Sequence, residues 1–271
     1  MFGPFGDAAL LGVVQGITEF LPISSDGHLA LAELLFHLEN GGLTFNVMLH
    51  AGTLIATLIV LRAQVGRAVA AGLPALVKPR LFATTAGGRD ALVVLLASLP
   101  TALIGLLLRD PVERWTRSPI ALGLGFLGTT LMLLLAHFSR QGTREQPTPV
   151  GALLVGLAQG LAVLPGLSRS GSTIAVAIWL GVRPERAFEL SMLMSLPAVV
   201  GALVLEGRHA FGAPFPGAPA LLGAAVALVT GVVALLVLRR VVTKGRFGWF
   251  AFWVGPLALA TLALGLAWPI R

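Results

Sequence analysis

Six uninterrupted apolar runs, at 45–61, 91–108, 120–136, 187–205, 218–238 and 247–267, hold 17 to 21 residues each. A helix rises about 1.5 Å per residue, so a run of this length crosses the roughly 30 Å hydrocarbon core of a bilayer. In hydrocarbon every backbone N–H and C=O must find its partner within the protein, which leaves helices or a closed barrel. Continuous apolar runs read as helices. Composition agrees, with 56% of the 271 residues hydrophobic and 11% charged, against about 45–50% and about 25% in soluble domains. The chain is therefore read as an all-α integral membrane protein with six full transmembrane helices.

Two more apolar stretches are too short and too broken to cross. Residues 8–21 meet Pro22 and Gly27 before a second short run at 29–38, and 150–164 meet a breaker at 165–171 before 174–180. The step from Gln15 to Gly27 equals that from Gln159 to Gly171, at an offset of 144. A single membrane domain, 1–271, thus divides into two halves, about 1–143 and 144–271. Broken backbone is tolerated at membrane depth where it is buried in protein or lines a cavity, so each broken pair is read as a re-entrant helical hairpin. Three full spans then follow each hairpin. Because three is odd, the second half is expected upside down relative to the first, an inverted-topology repeat with both hairpin tips facing one pocket near the midplane.

Charge assigns the sides. The loops 62–90, 139–149, 181–186 and 239–246 share one face and carry thirteen Lys or Arg, whereas both termini and the loops 109–117 and 206–217 carry five; Arg169, the nineteenth, belongs to a hairpin. Cytoplasmic loops are enriched in Lys and Arg, so the first face is expected in the cytoplasm and both termini outside it. The net charge of +7 is this positive-inside signal rather than a nucleic-acid footprint. Trp115, Trp249 and Trp268 fall at predicted span ends, as an interfacial belt would place them. The absence of cysteine excludes disulfides, a thiolate nucleophile and cysteine-ligated zinc. The first seven residues carry Asp7 and no Lys or Arg, so no cleavable signal peptide is expected.

The polar residues gather at the two breakers. Glu19 follows Gln15 by four positions, so both project from one helical face. An acid at bilayer depth costs about 2.5–3.5 kcal/mol, which makes it a functional candidate with Arg169 as the obvious partner. Ser24, Ser25, Asp26 and Gly27 open one short helix, and Ser168, Arg169, Ser170 and Gly171 open its counterpart, with Thr173 one turn on. Serines and Asp at these places cap helices. Two helix N-termini converging with a guanidinium also make an anion site suited to a phosphate or diphosphate. His28 lies three residues after Ser25, on the same face if the helix starts at the serines, and an imidazole can serve a serine hydroxyl as base. His50, which starts an apolar run, is a weaker candidate for the same pocket. His37, His137 and His209 read as loop or interface residues, and Glu33 and Glu189 as makers of helix–helix hydrogen bonds.

With these residues the chain resembles the integral-membrane undecaprenyl-diphosphate phosphatases of bacteria, the bacitracin-resistance family. The family's Glu/Gln-x3-Glu motif is met by Gln15 and Glu19. Its Pro-x-Ser-Ser-x-Gly-His motif is met by Pro22, Ser24, Ser25, Gly27 and His28, and its Pro-Gly-x-Ser-Arg-Ser-x-x-Thr motif by Pro165, Gly166, Ser168, Arg169, Ser170 and Thr173. Gln15 occupies the first acidic position of the pattern, removing one metal ligand, and Asp26 stands where a small Ser or Thr is usual.

The resemblance implies removal of the terminal phosphate from a C55 isoprenyl diphosphate, undecaprenyl diphosphate, yielding the monophosphate carrier for cell-wall polymers and tolerance to bacitracin. It also implies a divalent cation, Mg²⁺ or Ca²⁺, and a bacterial inner membrane with the active site open to the outer side. Under that reading Glu19, Ser25, His28 and Arg169 are catalytic. Ser25 attacks with His28 as its base, His28 being the alternative nucleophile, and Glu19 orients His28 or binds the cation. Gln15, Ser24, Asp26, Gly27, Ser168, Ser170 and Thr173 surround the substrate. A membrane transporter or lipid flippase using the same anion pocket is the competing reading. The oligomeric state stays open, a homo-oligomer included.

Overall fold

The computed structural model describes all residues except 1–2, 37–41, 117, 140–141, 210–216 and 268–271, and every regular element among the described residues is helical. The first half contains α1 (Gly3–Thr18), α2 (Ser25–Phe36), α3 (Gly42–Val60), α4 (Arg62–Val77), α5 (Leu81–Thr84), α6 (Ala86–Leu107), α7 (Arg109–Trp115) and α8 (Pro119–Phe138). The second contains α9 (Pro149–Leu161), α10 (Arg169–Trp179), α11 (Pro184–His209), α12 (Gly217–Thr243), a 3₁₀ turn (Phe247–Phe250) and α13 (Ala251–Ala267).

Five helices are long and apolar enough to cross a bilayer: Ala86–Leu107, Pro119–Phe138, Pro184–Leu205, Gly217–Thr243 and Phe247–Ala267. The remaining run, Thr44–Val60, passes the same test only together with Arg62–Val77, from which it is bent by 83°. Leu99, Leu103, Leu107, Phe138, Phe252 and Leu266 stand exposed on the outsides of these helices. Apolar surface on that scale is not left to water, and the chain is a multi-pass membrane protein.

The stretch 62–90, expected as a polar loop, is mostly helix. Counting its charges hid an apolar period: Ala68, Gly72 and Ala75 recur on one face of α4, are buried, and pack on α6, while Val69, Leu73 and Leu76 face outward. Residues 109–115, also expected as loop, form α7. Helix starts follow local chemistry more plainly. The side chains of Ser118, Thr148 and Ser168 accept hydrogen bonds from the N–H groups of Ala121, Gly151 and Gly171, and Pro119 and Pro149 occupy first-turn positions that need no N–H.

The two halves are joined by helices that cross-pack. The α1 helix lies on α12, and α9 lies on α6. Both contacts run through glycine pairs at the same offset of 144, Gly12 and Gly16 in one half and Gly156 and Gly160 in the other. A Cβ on Gly12 would stand 2.5 Å from Gly223 O, and one on Gly156 2.2 Å from Ala97 O. Small residues at such spacing let helix backbones close up in a bilayer, where packing supplies the attraction.

Away from the breakers, a second ionic cluster ties the helices together. Arg186, at the start of α11, is clamped between Asp90 of α6 and Glu189. Asp90 also accepts from Gln146 Nε2 at 2.7 Å, and Glu189 from Gln64 Nε2 of α4 at 3.1 Å. Glu189 thus makes the expected helix–helix hydrogen bond but spends its other oxygen on an ion pair. Glu33 falls in α2 with its side chain outside the described residues, as does that of His209, while His37, Gln141 and Trp268 lie wholly outside them. Removing one partner of a buried pair leaves an uncompensated charge and costs about 3–5 kcal/mol. Arg186→Met, which strands two carboxylates, is therefore expected to lower the thermal midpoint of the detergent-solubilised protein well below that of Arg183→Met, whose Glu145 partner is exposed. Equal midpoints would show that the cluster carries no stability.

Candidate active site

The two breakers touch. A Cβ on Gly27 would lie 3.3 Å from Gly166 Cα, and one on Gly171 3.4 Å from Pro22 Cβ. At the first breaker Ser24 takes φ +71°, a left-handed conformation that a non-glycine residue rarely adopts, and Gly166 takes φ +84° at the second. Backbone strain of this kind costs about 1–3 kcal/mol and persists where the surroundings enforce it. Here they do: the Ser24 carbonyl accepts from both His28 N (3.2 Å) and His28 Nδ1 (2.8 Å). At the second breaker Thr129 of α8 donates to Gly166 O and accepts from Ser168 N, each at 2.9 Å.

Glu19 is the hub. Its Oε1 pairs with Arg169 Nη2 at 2.6 Å, and its Oε2 accepts from Ser25 Oγ at 2.9 Å and from Gln15 Nε2 at 3.1 Å. The second hydrogen of that amide goes to His50 Nδ1 of α3, 3.0 Å away. Three elements from both halves, α1, α2 and α10, therefore converge on one buried carboxylate, with α3 behind them through Gln15. The expected buried ion pair exists, and it sits within hydrogen-bond reach of the candidate nucleophile.

His28 is arranged differently from expectation. Its Nδ1, facing the Ser24 carbonyl, must carry the ring proton, and its Nε2 accepts from Trp253 Nε1 at 3.1 Å. The imidazole also stacks on Trp253 and meets Phe126 edge-on. Both nitrogens are spent on bracing the breaker, and the Ser25 hydroxyl points to Glu19 instead. Helical spacing placed Ser25 and His28 near one another but did not disclose that a nearer carboxylate competes for the hydroxyl.

Arg169 keeps one hand free: its Nη1 is buried without a hydrogen-bond partner. The residues around it are committed to position. Ser168 Oγ caps α10 through Gly171 N and meets Ser170 Oγ at 3.2 Å, while Thr173 Oγ1 reaches Ser191 Oγ at 2.6 Å and Arg169 O at 2.8 Å. All three hydroxyl residues are buried. They hold the N-terminus of α10 behind Arg169 and do not line an open anion cradle. Ser25 is half-buried and Asp26 exposed in the first turn of α2, close enough to Glu19 and Arg169 to feel their charges.

Among the described residues no group of three His, Asp or Glu stands ready to hold a metal. The donor chemistry nonetheless fits a hard cation shared with a substrate. Mg²⁺ is commonly bound by one or two carboxylates plus phosphate oxygens rather than by an all-protein cage. Glu19 has both oxygens occupied; Asp26 is exposed and accepts no hydrogen bond among the described residues. Thr129 and Trp253 were missed by sequence reasoning because a threonine or tryptophan in an apolar run looks like packing or an interfacial anchor. His50 was underweighted because it lies 35 residues from Gln15.

Comparison with known proteins places this geometry. The family model for the bacitracin resistance protein BacA matches residues 8–260. An undecaprenyl-diphosphatase of Carboxydothermus hydrogenoformans is 38% identical over 267 residues, covering 96% of this chain and 97% of that one. Undecaprenyl-diphosphatases of Desulfatibacillum aliphaticivorans (40% identical, 90% of this chain and 93% of the relative) and Korarchaeum cryptofilum (34%, 95% and 98%) are similar over the same extent. The carboxylate-centred site and the breakers that build it thus lie within the matched region, and the chain belongs to the BacA bacitracin-resistance family.

Proposed function

We propose that the chain is an undecaprenyl-diphosphate phosphatase, hydrolysing the terminal phosphate of a C55 isoprenyl diphosphate to the monophosphate carrier that cell-wall synthesis reuses, and so conferring bacitracin resistance. One observation carries the chemistry: a serine hydroxyl donates to a carboxylate that an arginine holds in place, and the arginine retains a second, unpartnered nitrogen. A transporter or flippase with the same pocket has no use for a serine hydroxyl seated on a base.

As Ser25 Oγ attacks the terminal phosphorus, its proton passes to Glu19 Oε2. The Oγ–P bond forms and the bridging P–O bond breaks, leaving the prenyl monophosphate to carry off the proton from Glu19. Water then attacks the phosphoserine, giving its proton to Glu19, which passes it to Ser25 Oγ as the Oγ–P bond breaks and inorganic phosphate leaves. Arg169 Nη1 is placed to meet the phosphoryl oxygens, where fixed donors stabilise charge in transfer. Asp26, rather than Glu19, would hold the divalent cation, which supplies charge neutralisation to the diphosphate. His28 keeps the Ser24 turn in its strained form and thereby aims Ser25.

The cross-packed halves, their matched glycines and their touching breakers support a re-entrant, inverted-repeat arrangement with six spans, α3 being the sixth and α4 lying along the membrane surface. Lys and Arg counts support a cytoplasmic 62–90 segment, external termini, and a site open to the outer side of a bacterial inner membrane.

Four outcomes are expected. Purified protein supplied with Mg²⁺ or Ca²⁺ should release phosphate from a long-chain prenyl diphosphate; if it releases none, transport takes the place of hydrolysis as the reading. Glu19→Gln should lower kcat by about 10²–10⁴-fold, the usual worth of a general base. Ser25→Ala should abolish both turnover and the trapped phosphoenzyme, whereas a phosphohistidine at His28 would transfer the nucleophile role there. For topology, cysteines introduced singly at Phe5 and Lys244 should label from outside and inside intact cells respectively. Labelling from one side would exclude the inverted arrangement.

A further inference from the structure

Among the described residues, His50 is the one ionisable side chain in hydrogen-bond contact with the Glu19 constellation that has no part in the chemistry above. It belongs to α3, the helix after the first hairpin, and reaches the site only through Gln15. An amide nitrogen can only donate, so His50 Nδ1 accepts from it, and the imidazole is neutral with its proton on Nε2. The two hydrogens of Gln15 Nε2 are thus divided, one to His50 and one to Glu19 Oε2. Gln15 Oε1, fully buried, has no partner at all.

The second half supplies an internal control. At the offset of 144, Gln159 replaces Gln15 and Met194 replaces His50. Gln159 Nε2 donates to the backbone carbonyl of Met194 and to Thr101 Oγ1, both at 3.2 Å. The fold therefore satisfies this amide without an imidazole. Gln159 Oε1 is also idle. Only in the half that carries the carboxylate is the amide anchored on an imidazole.

We infer that His50 is a positioning residue for Glu19: it fixes the Gln15 amide so that Nε2 faces the catalytic carboxylate. The inference rests on the phosphatase reading. Without that anchor the amide is free to turn over and present its idle Oε1, and Glu19 Oε2 loses one of its two donors. A carboxylate deprived of a donor is a worse-aimed base for Ser25, so turnover falls more than substrate binding.

The test is the steady-state kinetics of purified protein on a prenyl diphosphate. His50→Ala removes the anchor and should lower kcat about tenfold, the worth of one lost hydrogen bond to a charged group, with KM within about twofold of wild type. His50→Asn puts an acceptor near the place of Nδ1 and should restore kcat to within about threefold of wild type, whereas His50→Leu, which fills the space without an acceptor, should stay as slow as His50→Ala. A His50→Leu variant as fast as His50→Asn, or a His50→Ala defect confined to KM, would overturn the proposal while leaving the phosphatase reading intact. An inert wild-type protein would instead overturn that reading and this inference with it.

Discussion

The ion pair between Glu19 and Arg169 sets the terms for the rest of the molecule. An acid and a base held apart at bilayer depth would each cost several kcal/mol, and these two are 150 residues apart in the chain. They meet where α1 ends and α10 begins. Helix ends inside a membrane protein carry backbone groups that hydrocarbon cannot satisfy, so the breakers must be buried against each other and against neighbouring helices. Burial in turn demands close approach, and Gly12, Gly16, Gly156 and Gly160 provide it by letting α1 and α9 lie directly on the backbones of α12 and α6. The strained Ser24 turn, the Thr129 bridge to Gly166 and Ser168, and the Trp253 bond to His28 are all consequences of holding two broken ends in register.

Much of this was legible beforehand because membranes leave few options. Length and apolarity located the long helices within a few residues of their ends, and the repeated Gln, Pro and Ser spacing located both breakers. Glu19 with Arg169 followed from the cost of an unpaired charge. What escaped were choices that charge and local spacing do not encode. The 62–77 stretch looked like loop because its arginines drew attention away from the Ala68, Gly72 and Ala75 stripe. Arg186 counted as a loop charge, although it is buried between Asp90 and Glu189. The pairing of Ser25 with Glu19 rather than His28 depends on the left-handed turn at Ser24, which no pattern of residue types announces in a position where glycine would be usual.

The halves share a plan but not a task. At equivalent positions the first carries Glu19, Ser25 and His28, and the second Val163, Arg169 and Ser172. In the second, hydroxyls are turned inward to cap α10 and to tie it to α11 through Thr173 and Ser191, so that Arg169 is presented from a rigid base. In the first, Ser25 is half-buried and Asp26 exposed. One broken end thus carries the hydroxyl and the carboxylates, and the other supports the arginine that pairs with Glu19.

Two buried ionic clusters in one protein allow structure and function to be told apart by their hydrogen-bond accounts. Around Arg186 the arrangement closes: Asp90 receives the guanidinium and Gln146, and Glu189 receives the guanidinium and Gln64. A closed network of this kind rigidifies and has no capacity left for a visitor. Around Glu19 it stays open: Arg169 Nη1 is buried without a partner, and Asp26 is exposed with no hydrogen bond among the described residues. A buried donor left unpaired costs about 1–3 kcal/mol, more when charged, and a stable fold has little reason to retain one that serves no ligand. Under the proposed function the phosphoryl oxygens of the substrate would give Nη1 its partner and Asp26 would hold the cation that neutralises them, so the two clusters differ as a scaffold differs from a site.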